Sequence, residues 1–243
     1  MNKIIFTELK LLLREPAALF FSILLPVGLM LVLGSIPAFR KPSPDLGGMR
    51  IIDNHFPAMM TMLAVMTLAF AIVPATLALY REKGVLRRMS TTPVHPGRLL
   101  GAQLLINAVI GVVAALLMIV LGGLVHDVPF PRQFGGFVVA FVLGSASLFA
   151  IGLVIAAMAG PKSAPVIGNV IMFPLMFVGG MWMPRETMPE FLQRVGDFLP
   201  VAPFGQAIRD TWAGAWPQPV HLVVMLVTLV AAGVLAVRLF RWE

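Results

Sequence analysis

Between Tyr80 and Gly101 the chain reads YREKGVLRRMSTTPVHPGRLLG, in which Arg81, Lys83, Arg87, Arg88 and Arg98 face a single acid, Glu82. Residues of these types do electrostatic work. They hold a loop on one side of a membrane, and they offer a charged surface to a soluble partner. Other chemistries find little footing. The four histidines, His55, His95, His126 and His221, fall at the ends of apolar runs or in loops, and no H-E-x-x-H occurs. The absence of cysteine removes disulfides and thiolate metal sites. Ser145 and Ser147 sit in a Gly/Ala-rich run with no histidine for a nucleophile's base, and they read as packing residues. No G-x-x-x-x-G-K-[ST] phosphate loop is present. No catalytic residue, metal or cofactor is therefore expected in this chain.

The elements around this loop are membrane-length. The 243 residues are 59% hydrophobic and 12% charged, with a mean hydropathy of +0.93. A soluble domain is closer to half apolar and a quarter charged, so the membrane class is implied. The net charge of +7 does not point to nucleic acid, because the basic residues crowd at the ends of apolar segments where lipid headgroups lie.

The expected fold is a single all-α integral membrane domain over 1–243 with six transmembrane helices, at 16–36, 56–79, 99–125, 134–159, 165–183 and 220–237. Before them, Lys3, Thr7, Lys10 and Arg14 form a polar stripe opposite Ile5, Leu9, Leu12 and Leu13. That is the pattern of an interfacial amphipathic helix over 1–15. Pro26, Pro74 and Pro174 lie inside spans and should bend them. Span four carries a small-residue face, Gly135, Gly136, Gly144, Ser145, Ala146, Ser147 and Gly152. The segment 184–218 is too polar to span. Phe191, Leu192, Val195, Phe198 and Leu199 alternate with Glu190, Gln193, Arg194 and Asp197 at helical spacing, and Trp212 and Trp216 suit the headgroup level. Two short outer helices, partly sunk in the bilayer, are expected there.

Orientation follows from the cations. Lys3, Lys10, Arg14, the five of the central loop, Lys162, Arg238 and Arg241 make eleven on the side of the termini; Arg40, Lys41, Arg50, Arg132, Arg185, Arg194 and Arg209 make seven on the other. Both termini and the loop are expected in the cytoplasm. No Asp, Glu, Lys or Arg falls mid-span, which argues against an ion-coupled carrier or other ATP-independent secondary transporter.

Within the loop, Glu82–Met89 can form about two helical turns, ended by Thr92-Pro93 and followed by Pro96-Gly97. The pattern Glu82-x-Gly84-x-Leu86-x-Arg88, then Thr92-Pro93-Val94, between spans two and three of six, resembles the ABC-2 type permeases, membrane subunits of bacterial ATP-binding cassette exporters. The N-terminal helix, the span count and the amphipathic segment before the last span agree, so the resemblance covers essentially the whole chain. It implies a permease in the bacterial cytoplasmic membrane that pairs with a second, identical or different, permease subunit and with two ATPase subunits. ATP and magnesium would belong to those partners. It also implies that 81–90 is a coupling helix, with Arg81, Glu82, Lys83, Gly84, Leu86, Arg87, Arg88 and Met89 at the ATPase contact. Glu82 is the acid for a basic group on the partner; the other reading is a pair with Arg81, Lys83 or Arg88. Met66, Phe70, Met172, Phe173, Met176 and Phe177 are candidates for an apolar path, the other reading being core packing or lipid contact. A drug-like or lipid-like amphiphile is the expected cargo, with lipid-linked glycan or polysaccharide export as the alternative.

Overall fold

Apolar runs of this length satisfy their own backbone inside a bilayer by forming helices, and the computed structural model is built from them. It describes residues 6, 10–11, 14–42, 48–85, 97–160, 162–182 and 188–239. The helices are α1 (Pro16–Gly34), α2 (Ile51–Glu82), α3 (Gly97–His126), α4 (Phe134–Met158), α5 (Ala164–Val178), α6 (Glu190–Phe198), α7 (Val201–Ala213) and α8 (Pro219–Leu239). The described residues form no strand, only an isolated bridge between Pro42 and Arg50. The expected helix over 1–15 lies mostly outside the described residues.

Among the described residues five helices, α1 to α4 and α8, are long and apolar enough to cross a membrane. The fifth expected crossing is shorter than its sequence range. Helix α5 has 15 residues, about 22 Å at 1.5 Å per residue, against a hydrocarbon core of ~30 Å. Span two is longer than expected and starts at Ile51, not at 56. The extra turn holds Asp53, Asn54 and His55, which lie before the expected start. Arg50 offsets part of the cost of their polarity: its Nε donates to Asp53 Oδ2 at 2.8 Å, its Nη2 lies 2.6 Å from Oδ1, and its backbone N–H donates to Oδ2 at 3.3 Å, so Asp53 caps the first turn. The hydrogen bond to Asp53 holds the Arg50 guanidinium above its ordinary value.

Helix α2 is the axis of the bundle. It packs against α1, α3, α4, α5 and α7, and 78% of its most apolar window is buried, against 17% for α8. The α2 core includes Met66, Leu68, Ala69 and Phe70, all fully buried. Helix α8 is fastened to the bundle chiefly along α4. The second short helix, α7, departs from the expected surface position. Phe204, Ala207, Ile208 and Thr211 are fully buried, and α7 is wedged against α2 and α4. Gly144 of α4 makes room for it, since a Cβ there would overlap the Phe204 ring.

The end of the bundle where α3 finishes is tied by a polar cap. Buried His126 donates from Nε2 to Leu31 O (2.8 Å), and its Nδ1 accepts from Arg40 Nη2 (2.8 Å). A carbonyl can only accept and a guanidinium only donate, which fixes this tautomer. Arg50 Nη2 also donates to Asp127 O at 3.1 Å. Together these bonds join α1, α2 and α3.

Candidate functional site

Proline sets the local geometry of the site. Inside α2, Pro74 has no N–H to give to Phe70 O. Val73 N–H, the regular donor to Ala69 O, reaches back instead to Leu68 O, so residues Thr67–Ile72 take the wider π-helical path. The two displaced carbonyls are received by glycines. A Cβ on Gly152 of α4 would overlap Ala69 O, and one on Gly168 of α5 would overlap Phe70 O. Glycine is what allows α4 and α5 to close on the widened turn, with Cα–H groups facing the carbonyls. Helix α1 repeats the device: Pro26 follows a π-helical Phe20–Leu24, with Leu25 N–H bonded to Phe20 O.

These two irregular helices and α5 enclose a lateral groove of about 740 Å³, inside the size range of sites for drug-sized ligands. Its wall includes Phe21, Leu25, Ala75, Met172, Phe173 and Met176, with Glu15 where α1 begins and Trp182 just beyond α5. Of the six residues expected to line a path, Met172, Phe173 and Met176 do line this groove. Met66 and Phe70 do not; both are fully buried in the core behind it. Phe177 is exposed on α5 but is not part of the groove wall. Their sequence signal, apolar bulk on a span, does not say which face a residue occupies. Ala71, Ala75 and Thr76 were missed for the same reason, being too small or too polar to stand out.

The charged loop begins differently from its expected form. The helical turns anticipated over Glu82–Met89 do not run unbroken. Glu82 is the last residue of α2, and Gly84 takes φ +63°, a left-handed conformation that stops the helix. Glu82 and Lys83 are exposed, while Gly84 is half-buried. Arg81 turns inward: its half-buried Nη1 donates to Ala156 O and Ala159 O (3.3 Å for the latter) at the C-terminal end of α4. A cation there meets the negative end of the α4 dipole. Leu86, Arg87, Arg88 and Met89 lie outside the described residues.

Apolar helices of membrane-crossing length around a buried axis, with a groove of ligand size open along the flank, mark a multi-pass membrane protein. The comparison with known proteins is specific: the chain belongs to the ABC-2 type transporter family, which it matches over residues 3–212. Members of this family are membrane permeases, generally non-catalytic, and the family implies association with ATP-binding cassette ATPase subunits. The chain is 25% identical over 222 residues to the putative transport permease YvfS of Bacillus subtilis, covering 90% of this chain and 88% of that one. It is 30% identical over 193 residues to the inner membrane transport permease YhhJ of Escherichia coli, covering 74% of this chain and 47% of the relative. It is also 31% identical over 176 residues to the daunorubicin resistance permease DrrB1 of Streptomyces coeruleorubidus, covering 66% and 59%. The chain thus spans most of the first relative and about half of the other two.

Proposed function

We propose that this chain is the membrane subunit of an exporter driven by separate ATPase subunits, and that the groove between α1, α2 and α5 is its share of the translocation path. The observation that carries the reading is the groove itself: a drug-sized apolar recess with a methionine and phenylalanine wall, on a chain of the ABC-2 type family. Methionine is flexible and polarisable, which suits varied hydrophobic cargo. Relatives named for multidrug transport and daunorubicin resistance support an amphiphilic cargo.

In this reading α5 counts as a sixth, shorter crossing, both termini and the charged loop face the cytoplasm, and two copies or two related permeases pair with two ATPases. Exposed Glu82 and Lys83, followed by the Gly84 break, form the contact that receives the push of ATP hydrolysis. Arg81 relays it to α4 through the two carbonyls it holds. ATP and magnesium are bound by the partner.

The test is reconstitution in liposomes with an ATP-binding cassette ATPase that co-purifies with this chain, following ATP hydrolysis and uptake of an amphiphilic dye. Glu82→Ala and Gly84→Pro are expected to lower both by about tenfold, as for loss of one partly desolvated interface pair. Proline cannot adopt the φ that Gly84 uses. Insertion in the membrane should be unchanged. ATP-independent uptake by the wild-type protein would overturn the reading, as would full coupling in both variants.

A further inference from the structure

The groove between α1, α2 and α5 is chemically one-sided. Among the described residues Glu15 is the one ionisable side chain on its wall, and no Lys, Arg, Asp or His lines it, the exposed Arg14 beside Glu15 lying off the wall. Its remaining polar side chains are mostly spent as donors. Thr67 Oγ1 donates to Leu63 O (2.8 Å) and Thr76 Oγ1 to Ile72 O (2.9 Å), which leaves each hydroxyl only its lone pairs. Asn169 Nδ2 donates one hydrogen to Pro165 O (2.9 Å), leaving Oδ1 and one amide hydrogen. Glu15, Thr76 and Asn169 also share one end. Glu15 precedes α1, Asn169 is in the second turn of α5, and Thr76 lies in the last two turns of α2. All three positions are at the charged-loop end of the bundle. Toward the other end the wall becomes Leu29, Leu63, Met176 and Trp182.

We infer that the groove selects cationic amphiphiles. A protonated amine lies at the charged-loop end, beside the Glu15 carboxylate and the acceptor oxygens of Thr76 and Asn169, and the apolar body lies along the methionines toward Trp182. The inference rests on reading the groove as the cargo path and adds the charge that path prefers. An ammonium brings up to three donors and a positive charge to a wall that offers acceptors and a negative charge. A carboxylate or phosphate would meet like charge and find few donors. A neutral alcohol gains the apolar contact alone.

The test uses the full-length protein in nanodiscs of zwitterionic lipid, with empty nanodiscs subtracting partition into the bilayer. Saturable binding of radiolabelled dodecylamine, dodecanol and dodecanoate is measured at neutral pH for the wild type, Glu15→Gln, Glu15→Asp and Ala75→Trp. The amine should bind about threefold more tightly than the alcohol and the carboxylate most weakly; a single ion pair to an exposed carboxylate is worth a factor of this order. Glu15→Gln should bring the amine down to the level of the alcohol and leave the alcohol unchanged. Glu15→Asp should keep most of the preference. Equal binding of amine and alcohol in the wild type would overturn the inference, as would a preference that survives Glu15→Gln or an absence of saturable binding for all three probes. Ala75→Trp fills the groove and separates the two levels of the argument. If it abolishes binding of every probe while Glu15→Gln changes nothing, the groove reading stands and charge selection falls. If binding persists in Ala75→Trp, the groove is not the site and both fall.

Discussion

Two grooves of similar size flank the bundle, and they are built in opposite ways. The first, about 740 Å³, lies between α1, α2 and α5; the second, about 900 Å³, lies between α3, α4 and α8. The helices of the first groove carry Pro26, Pro57, Pro74 and Pro174 within them and include both π-helical stretches. Those of the second are unbroken, with Pro219 only at the start of α8. The first wall has a carboxylate, two threonines and an asparagine. The second is aliphatic and aromatic, with Gly101, Ala108, Gly233 and one hydroxyl, Ser145. Regular helices packed through small residues leave a seam that lipid tails can fill. Irregular helices leave a recess with polar atoms on its wall, the kind of wall the proposed passage would use. Volume alone does not distinguish the two; the path of the backbone does.

The largest expected effect comes from the glycines that receive the α2 carbonyls. Gly168→Ala or Gly152→Ala drives a Cβ into a backbone oxygen that cannot rotate away, so α2 and its neighbour must separate. A loss of about 3 kcal/mol is expected for each, the upper end of overpacking costs. It would be read as a fall in melting temperature in detergent and as loss of a monodisperse peak. Gly233→Ala, at a position in the second groove with nothing within 4 Å, should stay within ~0.5 kcal/mol of wild type. Similar melting temperatures for Gly168→Ala and Gly233→Ala would erase the distinction between the two flanks.

Next in size is a pair of filling substitutions. Ala75 and Ala146 are half-buried alanines, one on each groove wall. Ala75→Trp should cut ATP-driven transport in liposomes by at least about tenfold, since the indole occupies the space of the cargo, a change of ~1.4 kcal/mol or more. Ala146→Trp should leave transport within about twofold. Equal loss in both would mean that transport depends on general packing and not on one flank.

The sequence made some of this contrast readable. Apolar runs located α1 to α4 and α8, and the period of Glu190–Phe198 located α6, because burial against lipid or lipid surface imposes a pattern on the chain itself. Gly84 was expected inside a helix over Glu82–Met89, and it is where α2 stops. What the sequence did not reveal depends on partners distant along the chain. Pro74 signals a bend, but nothing local says that its displaced carbonyls rest on Gly152 and Gly168. Arg81 is indistinguishable from Arg87 in a list of cations, yet it faces the end of α4. Arg40, counted among the seven cations on the side away from the termini, is used by His126, which lies 86 residues further on. Helix α7 was expected as an outer helix partly sunk in the bilayer, while its apolar face is enclosed by α2 and α4. In the same way Met66 and Phe70 share the composition of the groove wall and lie in the core behind it.

The smallest prediction separates the hydroxyls of the two walls by sign. Thr76, on the first groove, returns its proton to Ile72 O, a bond within its own helix. Thr76→Val removes that bond and is expected to lower stability by about 0.5 kcal/mol, the scale of one hydrogen bond in a membrane interior. Ser145, on the second, is 5% exposed, and its Oγ has no hydrogen-bond partner among the described residues. An unsatisfied hydroxyl in an apolar seam costs free energy. Ser145→Ala should therefore raise stability, by about 1 kcal/mol, a shift of a few degrees in melting temperature for a chain of this length. Both substitutions keep size nearly constant, so packing changes little. If the second wall is only a seam, the two shifts have opposite signs and transport is unaffected by Ser145→Ala. If Ser145→Ala destabilises the protein or slows transport, the serine holds a partner in the assembled transporter, and the second groove then belongs to the working surface as much as the first.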